Sequence, residues 1–236
     1  QLEYGKTADV SVKIKNVGKQ STENVIVTLT SKSDYVTMTK DETQIVSINA
    51  NEEINLDKAF TVSVKPDVPD KTKIEFIVTC SNGDDTWTTM FYEYVYAPVF
   101  AVNSINVMPN IPQSGEKATL EIKFTNIGNA TAYNVLTEVY SSSSDIEFEK
   151  VSVVTEEIKA GETCTATMDF NVASSVLQGT VFDVVATVNA DYSTATEYYE
   201  LKVGFTGDDF ETGDFSAQEW KIEGEGVWVI DSIKPY

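Results

Sequence analysis

The stretch Asp9-Val10-Ser11-Val12-Lys13-Ile14-Lys15-Asn16-Val17-Gly18 returns, 110 positions later, as Thr119-Leu120-Glu121-Ile122-Lys123-Phe124-Thr125-Asn126-Ile127-Gly128, the offset being the difference between Asn16 and Asn126. An apolar residue stands at every second position of both copies: Val10, Val12 and Ile14 in one, Leu120, Ile122 and Phe124 in the other. A period of two sends alternate side chains to opposite faces, so each stretch predicts a β-strand with one face on a core. The Asn-Val-Gly and Asn-Ile-Gly that follow are expected to end the strand at a glycine free to take φ > 0, and Asn24-Val25 and Asn134-Val135 to start the next one.

The match extends outward on both sides. Gly5, Ala8 and Lys13 meet Gly115, Ala118 and Lys123, and Ile48, Ala50, Glu52, Phe60 and Val62 meet Ile158, Ala160, Glu162, Phe170 and Val172, without a gap over about fifty residues. Around these anchors run short segments rich in Val, Ile, Thr, Phe and Tyr, separated by Gly, Asn, Asp, Pro and Ser. They extend from Asp9–Lys15 to Trp87–Tyr96 in the first half and from Phe100–Val107 to Thr196–Val203 in the second, with no helical periodicity. The expected fold is all-β: two tandem immunoglobulin-like antiparallel sandwiches, residues 1–97 and 98–204, and a short truncated β segment at 205–236. The segment Val99–Pro109, an opening strand for the second repeat, has no counterpart ahead of Gln1, so the first repeat is expected to lack its first strand. Only Ala97-Pro98 and its neighbours join the repeats, which predicts a semi-rigid rod.

Charge narrows the partners. The 236 residues carry a formal net charge of −20, which opposes a phosphate backbone and an anionic lipid surface alike. Nucleic acid is not an expected partner. No apolar run approaches the roughly 20 residues of a membrane-spanning helix.

Histidine is absent from the chain, which removes the usual base of a Ser or Cys nucleophile and the commonest ligand of catalytic zinc. The chain is therefore not expected to be an enzyme. Cys80 continues the inward series Ile74, Phe76 and Val78, and Cys164 begins the series Ala166, Met168 and Phe170. In different repeats and on core faces, they are expected to be two free buried thiols. Trp87, Tyr92, Tyr94, Tyr198 and Tyr199 are candidate ligand-binding residues, because aromatic rings stack on the C–H faces of sugars; strand propensity accounts for the same residues. Asp208, Asp209, Glu211 and Asp214 form the densest acidic cluster and are candidate Ca²⁺ ligands, although their spacing is not that of an EF-hand loop and a polar inter-domain linker accounts for them better. Asn129-Ala130-Thr131 matches a glycosylation acceptor.

Gly207-Asp208-Asp209-Phe210-Glu211-Thr212-Gly213-Asp214-Phe215-Ser216, followed by Trp220, resembles the opening of cleaved-adhesin, jelly-roll domains of surface proteins. The Asn-Val/Ile-Gly-x-x-x-x-x-Asn-Val pattern of both repeats is similar to the adhesion-related Ig-like modules that follow the catalytic domain of gingipain-type cysteine peptidases. The resemblance implies a secreted or outer-surface parent protein whose catalytic domain lies before Gln1. It also implies a spacer or docking role toward that domain or other modules of the parent, with structural calcium at Asp209 or Glu211. The rival expectation is an adhesin module that binds host protein or glycan.

Overall fold

The computed structural model of the protein describes residues 1–204 together with Gly226 and Val229. Alternating apolar residues build sixteen strands, and no helix occurs among the described residues. The first eight are β1 (Leu2–Glu3), β2 (Thr7–Lys15), β3 (Thr22–Thr30), β4 (Val36–Lys40), β5 (Glu42–Ile48), β6 (Glu53–Val64), β7 (Thr72–Ser81) and β8 (Thr86–Tyr96). The second eight are β9 (Phe100–Met108), β10 (Lys117–Asn126), β11 (Ala132–Ser141), β12 (Ile146–Phe148), β13 (Ser152–Ile158), β14 (Thr163–Val172), β15 (Thr180–Ala190) and β16 (Ser193–Val203).

Each set forms a sandwich around its own core, antiparallel except that β1 runs parallel to β8. In the first repeat the sheet β1-β8-β7-β3-β5 faces the sheet β2-β6-β4; in the second, β13-β11-β15-β16 faces β12-β14-β10-β9. The aligned pairs Ile48 and Ile158, Phe60 and Phe170, and Val62 and Val172 are all buried, which is what a common register of inward faces requires. In the second core, Leu120, Ile122 and Phe124 are completely enclosed, with the ring of Phe100 set edge-on to that of Phe124 at 6.2 Å between centroids. The inward face of β2 is less well covered, since Ala8, Val10, Val12 and Ile14 are only half-buried.

Three short strands, β1, β4 and β12, have no counterpart in the sequence reading. Each pairs with one neighbour at the edge of its sheet, and two to five residues are too few for a period of two to register. The turn reading also needs correction. Gly18 and Gly128 do not take positive φ; the residues that do are Asn24 (φ 54°) and Asn134 (φ 51°). Asparagine tolerates this region because its short polar side chain can bond to the nearby backbone and offset the steric cost of its Cβ. The glycines are needed for room instead. A Cβ at Gly128 would lie 2.4 Å from both the Ala97 carbonyl oxygen and the Val99 amide nitrogen, and one at Gly18 would lie 3.0 Å from Asn16 Oδ1.

Two fully buried side chains among the described residues, Asn126 and Thr137, break the apolar rule, and only the second lacks a partner. Thr137 on β11 is fully buried, its hydroxyl has no hydrogen-bond partner among the described residues, and 110 positions earlier stands Val27, equally buried. A buried hydroxyl without a partner costs its desolvation, and valine has nearly the same shape. Thr137→Val is therefore expected to stabilise the second repeat by about 1 kcal/mol, read as a higher urea midpoint at unchanged slope; a lower midpoint would show that the hydroxyl is satisfied.

Candidate interaction surface

The five aromatic candidates do not form one surface. Strand β8 pairs with β7 so that Phe91 lies opposite Phe76 and Trp87 opposite Cys80, which puts Trp87 on the same inward side as Phe91. The rings of Phe91 and Phe76 stack at 5.3 Å, whereas Trp87 stays 50% exposed. Tyr92 and Tyr94 have the other parity and stand on the outer face with Met90, at 45%, 47% and 54% exposure. In the second repeat Tyr198 is outward and 75% exposed, while its neighbour Tyr199 turns to the core.

The outer face of β8 is locally organised. The Lys73 ammonium sits 3.7 Å from the centre of the Tyr92 ring, an attraction of cation to ring face worth about 0.5–1 kcal/mol at an exposed site. The Tyr92 hydroxyl contacts Met90 Sδ at 3.5 Å, and the neighbouring Glu75 carboxylate pushes its ionisation up. Met90, Tyr92 and Tyr94 thus form a short apolar ridge with one cation across it, an arrangement that can stack against a flat apolar partner. The parity of the strand separates Trp87 from this ridge, and counting aromatics along the chain does not show that.

The acidic candidates Asp208, Asp209, Glu211 and Asp214 lie outside the described residues. Among the described residues no group of three or more His, Cys, Asp or Glu side chains could hold a metal ion. Cys80 and Cys164 are free and sit on inward faces as expected, but both are half-buried rather than buried. Burial pushes both thiols up, with Glu162 adding to the effect at Cys164, so neither is an activated nucleophile.

Side-chain hydrogen bonds tie the two repeats together at their joint. Asp70, on the loop before β7, accepts from the Ala97 amide at 3.0 Å through Oδ1 and from Asn129 Nδ2 at 2.6 Å through Oδ2. Tyr4 donates its hydroxyl to the Thr131 carbonyl at 3.2 Å, and Ala130 packs into the first repeat's core. The triplet Asn129-Ala130-Thr131 is thus part of the joint: a glycan on Asn129 would displace the bond to Asp70. A shallow cleft runs across the same region, lined by residues that include Tyr4, Pro66, Asp70, Pro98 and Tyr192.

A protein-family model described as CARDB matches residues 97–198, so the second repeat is similar to CARDB domains, which are adhesion-related Ig-like β-sandwiches. No curated protein matches the chain. Among solved structures, the crystal structure of red sea bream transglutaminase is similar at 13% identity and a TM-score of 0.35, over 87% of this chain and 30% of that one. The native conformation of E. coli alpha-2-macroglobulin is similar at 13% identity and a TM-score of 0.36, over 86% of this chain and 16% of that one. The chain spans less than a third of either protein's length.

Tyr4 gives the joint a measurable signature. Burial first, and then the negative charge of Asp191, push its ionisation up from 10.0 to about 12. A group whose acid form is favoured in the folded state contributes fully below its unfolded value, and the contribution is lost as pH rises through the folded one. Stability is therefore expected to fall as pH rises from about 10 to about 12, and less so in Tyr4→Phe. Melting curves across that range check it, and an equal slope for both proteins would remove Tyr4 as the cause.

Proposed function

We propose that this chain is a non-catalytic accessory region that serves as a semi-rigid spacer in an exported protein and holds the module joined to it at a set orientation. The observation that carries this reading is the joint. Three residues separate β8 from β9. Asp70 clamps the first of them and also Asn129 across the joint, and Gly128 lets the linker backbone lie against the second repeat. A flexible connection would need none of these contacts, since a linker that merely tethers is solvated and free to rotate.

The CARDB match over the second repeat supports an adhesion-related setting. The resemblance of both repeats to Ig-like modules of gingipain-type cysteine peptidases supports a finer reading: the accessory arm of such a peptidase, secreted or on the outer cell surface, with the parent's catalytic domain as its main partner. A second reading, an adhesin module for host protein or glycan, is favoured by one observation, the exposed ridge of Met90, Tyr92 and Tyr94. Its energetics would be those of a small aromatic hot spot.

Small-angle scattering from the chain tests the spacer. One fixed arrangement of the two sandwiches should fit the profile, and an Asp70→Ala, Asn129→Ala double variant should require a spread of inter-repeat angles. A wild-type profile that itself requires such a spread would overturn the proposal. For the second reading, the immobilised chain is screened against glycans and matrix proteins. Binding lost in Tyr92→Ala supports it, and an empty screen rejects it.

A further inference from the structure

The corresponding sheets of the two repeats carry the same outward tyrosine in opposite company. Strands β7 and β15 correspond at the 110-residue offset, the buried residues Ile74, Phe76 and Val78 answering Val184, Ala186 and Val188. Tyr92 lies opposite Glu75 and Tyr198 opposite Val185. Since Glu75 and Val185 hold the same position of the repeat, the two tyrosines are equivalent.

In the first repeat the ring already has its cation, the Lys73 ammonium 3.7 Å from the centre of Tyr92. In the second repeat the position of that lysine holds Asp183, directly opposite Glu200. Like charges facing each other across two strands are unfavourable, and among the described residues neither carboxylate has an ion-pair partner. Lys202 follows on the same side of β16 with a contact of its own.

Register extends the tyrosine into a row. Tyr140 on β11 lies opposite Val185, which lies opposite Tyr198. Tyr140 and Tyr198 are 65% and 75% exposed with half-buried Val185 between them, and two strand spacings set them about 10 Å apart. Exposed Glu138 stands two residues before Tyr140 on the same face. At the edge of β16, Tyr198 also borders a shallow cleft lined in part by Asn103, Ser104 and Glu197. An aromatic strip bordered by carboxylates thus crosses three strands.

We propose that Tyr140, Val185 and Tyr198, with Asp183 and Glu200 beside them, form a docking surface for an exposed basic segment of a partner protein, which sets a lysine or arginine side chain over the Tyr198 ring and against the two carboxylates. Charge decides the occupant. An acidic or purely apolar partner would cover two like charges without a counterion, which costs their desolvation. A cation relieves their repulsion and takes the ring face as Lys73 takes that of Tyr92. A guanidinium suits the site best, being flat enough to stack and able to bond both carboxylates. The surface lies on the other repeat from the ridge of Met90, Tyr92 and Tyr94, and it does not depend on the joint being rigid.

The test titrates the full chain into a fluorescein-labelled peptide, Gly-Arg-Gly-Arg-Gly, at low salt and follows anisotropy, with Gly-Gln-Gly-Gln-Gly as the neutral control. Saturable binding of the arginine peptide alone is expected, weakened about fivefold by Tyr198→Ala and further by the double variant Asp183→Asn, Glu200→Gln. A second double variant, Glu23→Gln, Glu42→Gln, removes the same charge from the first repeat and should bind as the unaltered chain does. All of these positions are exposed, so the fold is retained. Equal weakening by the two double variants, or none by Tyr198→Ala, would reduce the binding to the attraction of a net charge of −20 and overturn the site. A peptide that stays unbound overturns the basic partner, and self-association abolished by Tyr198→Ala would then make a second copy of the chain the occupant.

Discussion

Each sandwich depends on one carboxamide. Asn126 is completely enclosed at the end of β10, and its Nδ2 donates to the carbonyls of Ala130 at 2.9 Å and Ile158 at 3.1 Å. Its Oδ1 accepts from the amides of Gly128 at 3.1 Å and Val99 at 3.2 Å. Four backbone groups converge on one side chain, and an enclosed group left without a partner carries a penalty of about 1–3 kcal/mol; the Gly128 amide alone also reaches the Val99 carbonyl, at 3.3 Å. Asn16 makes three of the same four bonds, to Gln20, Ile48 and Gly18. The turn, the start of the next strand and the end of the facing hairpin are thereby fixed together, and the glycine two residues later keeps the space the amide needs.

The fourth bond of Asn126, from the Val99 amide, reaches into the linker and shapes the joint. Val99 is drawn onto Asn126, which brings the backbone of Ala97 and Val99 so close to Gly128 that no side chain fits between them. Asp70 then meets the Ala97 amide, which would otherwise be left without a partner in a buried position. The conserved geometry inside a repeat and the contact between repeats are two uses of the same side chain.

Much of this was legible in the sequence. Alternation at Val10, Val12 and Ile14 and at Leu120, Ile122 and Phe124 identified strands and their inward faces, because the period of a strand is fixed by its geometry. The repeat placed Asn16 and Asn126 in corresponding turns. Their role was not legible, since a sequence does not show which carbonyls converge on an amide, and the neighbouring glycines were read as conformational when they are steric. The aromatic surface was harder still. Trp87 and Tyr92 lie five apart, an odd number, and so fall on opposite faces; Tyr198 and Tyr199 do so as neighbours. Composition brought them together and the pleat separates them.

The pairing of β1 with β8 has a mechanical side. Leu2 and Glu3 run parallel to Val95 and Tyr96, and the Tyr4 amide donates to the Tyr96 carbonyl at 3.0 Å, so the polypeptide reaches the first repeat alongside the strand by which it leaves. Tension along the chain pulls these two segments in opposite directions and strains their hydrogen bonds in shear, together, where a hairpin pulled at its open end would unzip one bond at a time. The bond from the Gly204 amide to Pro112 stands in the corresponding place in the second repeat. A tether with such clasps passes a pull from one end to the other while its cores remain closed.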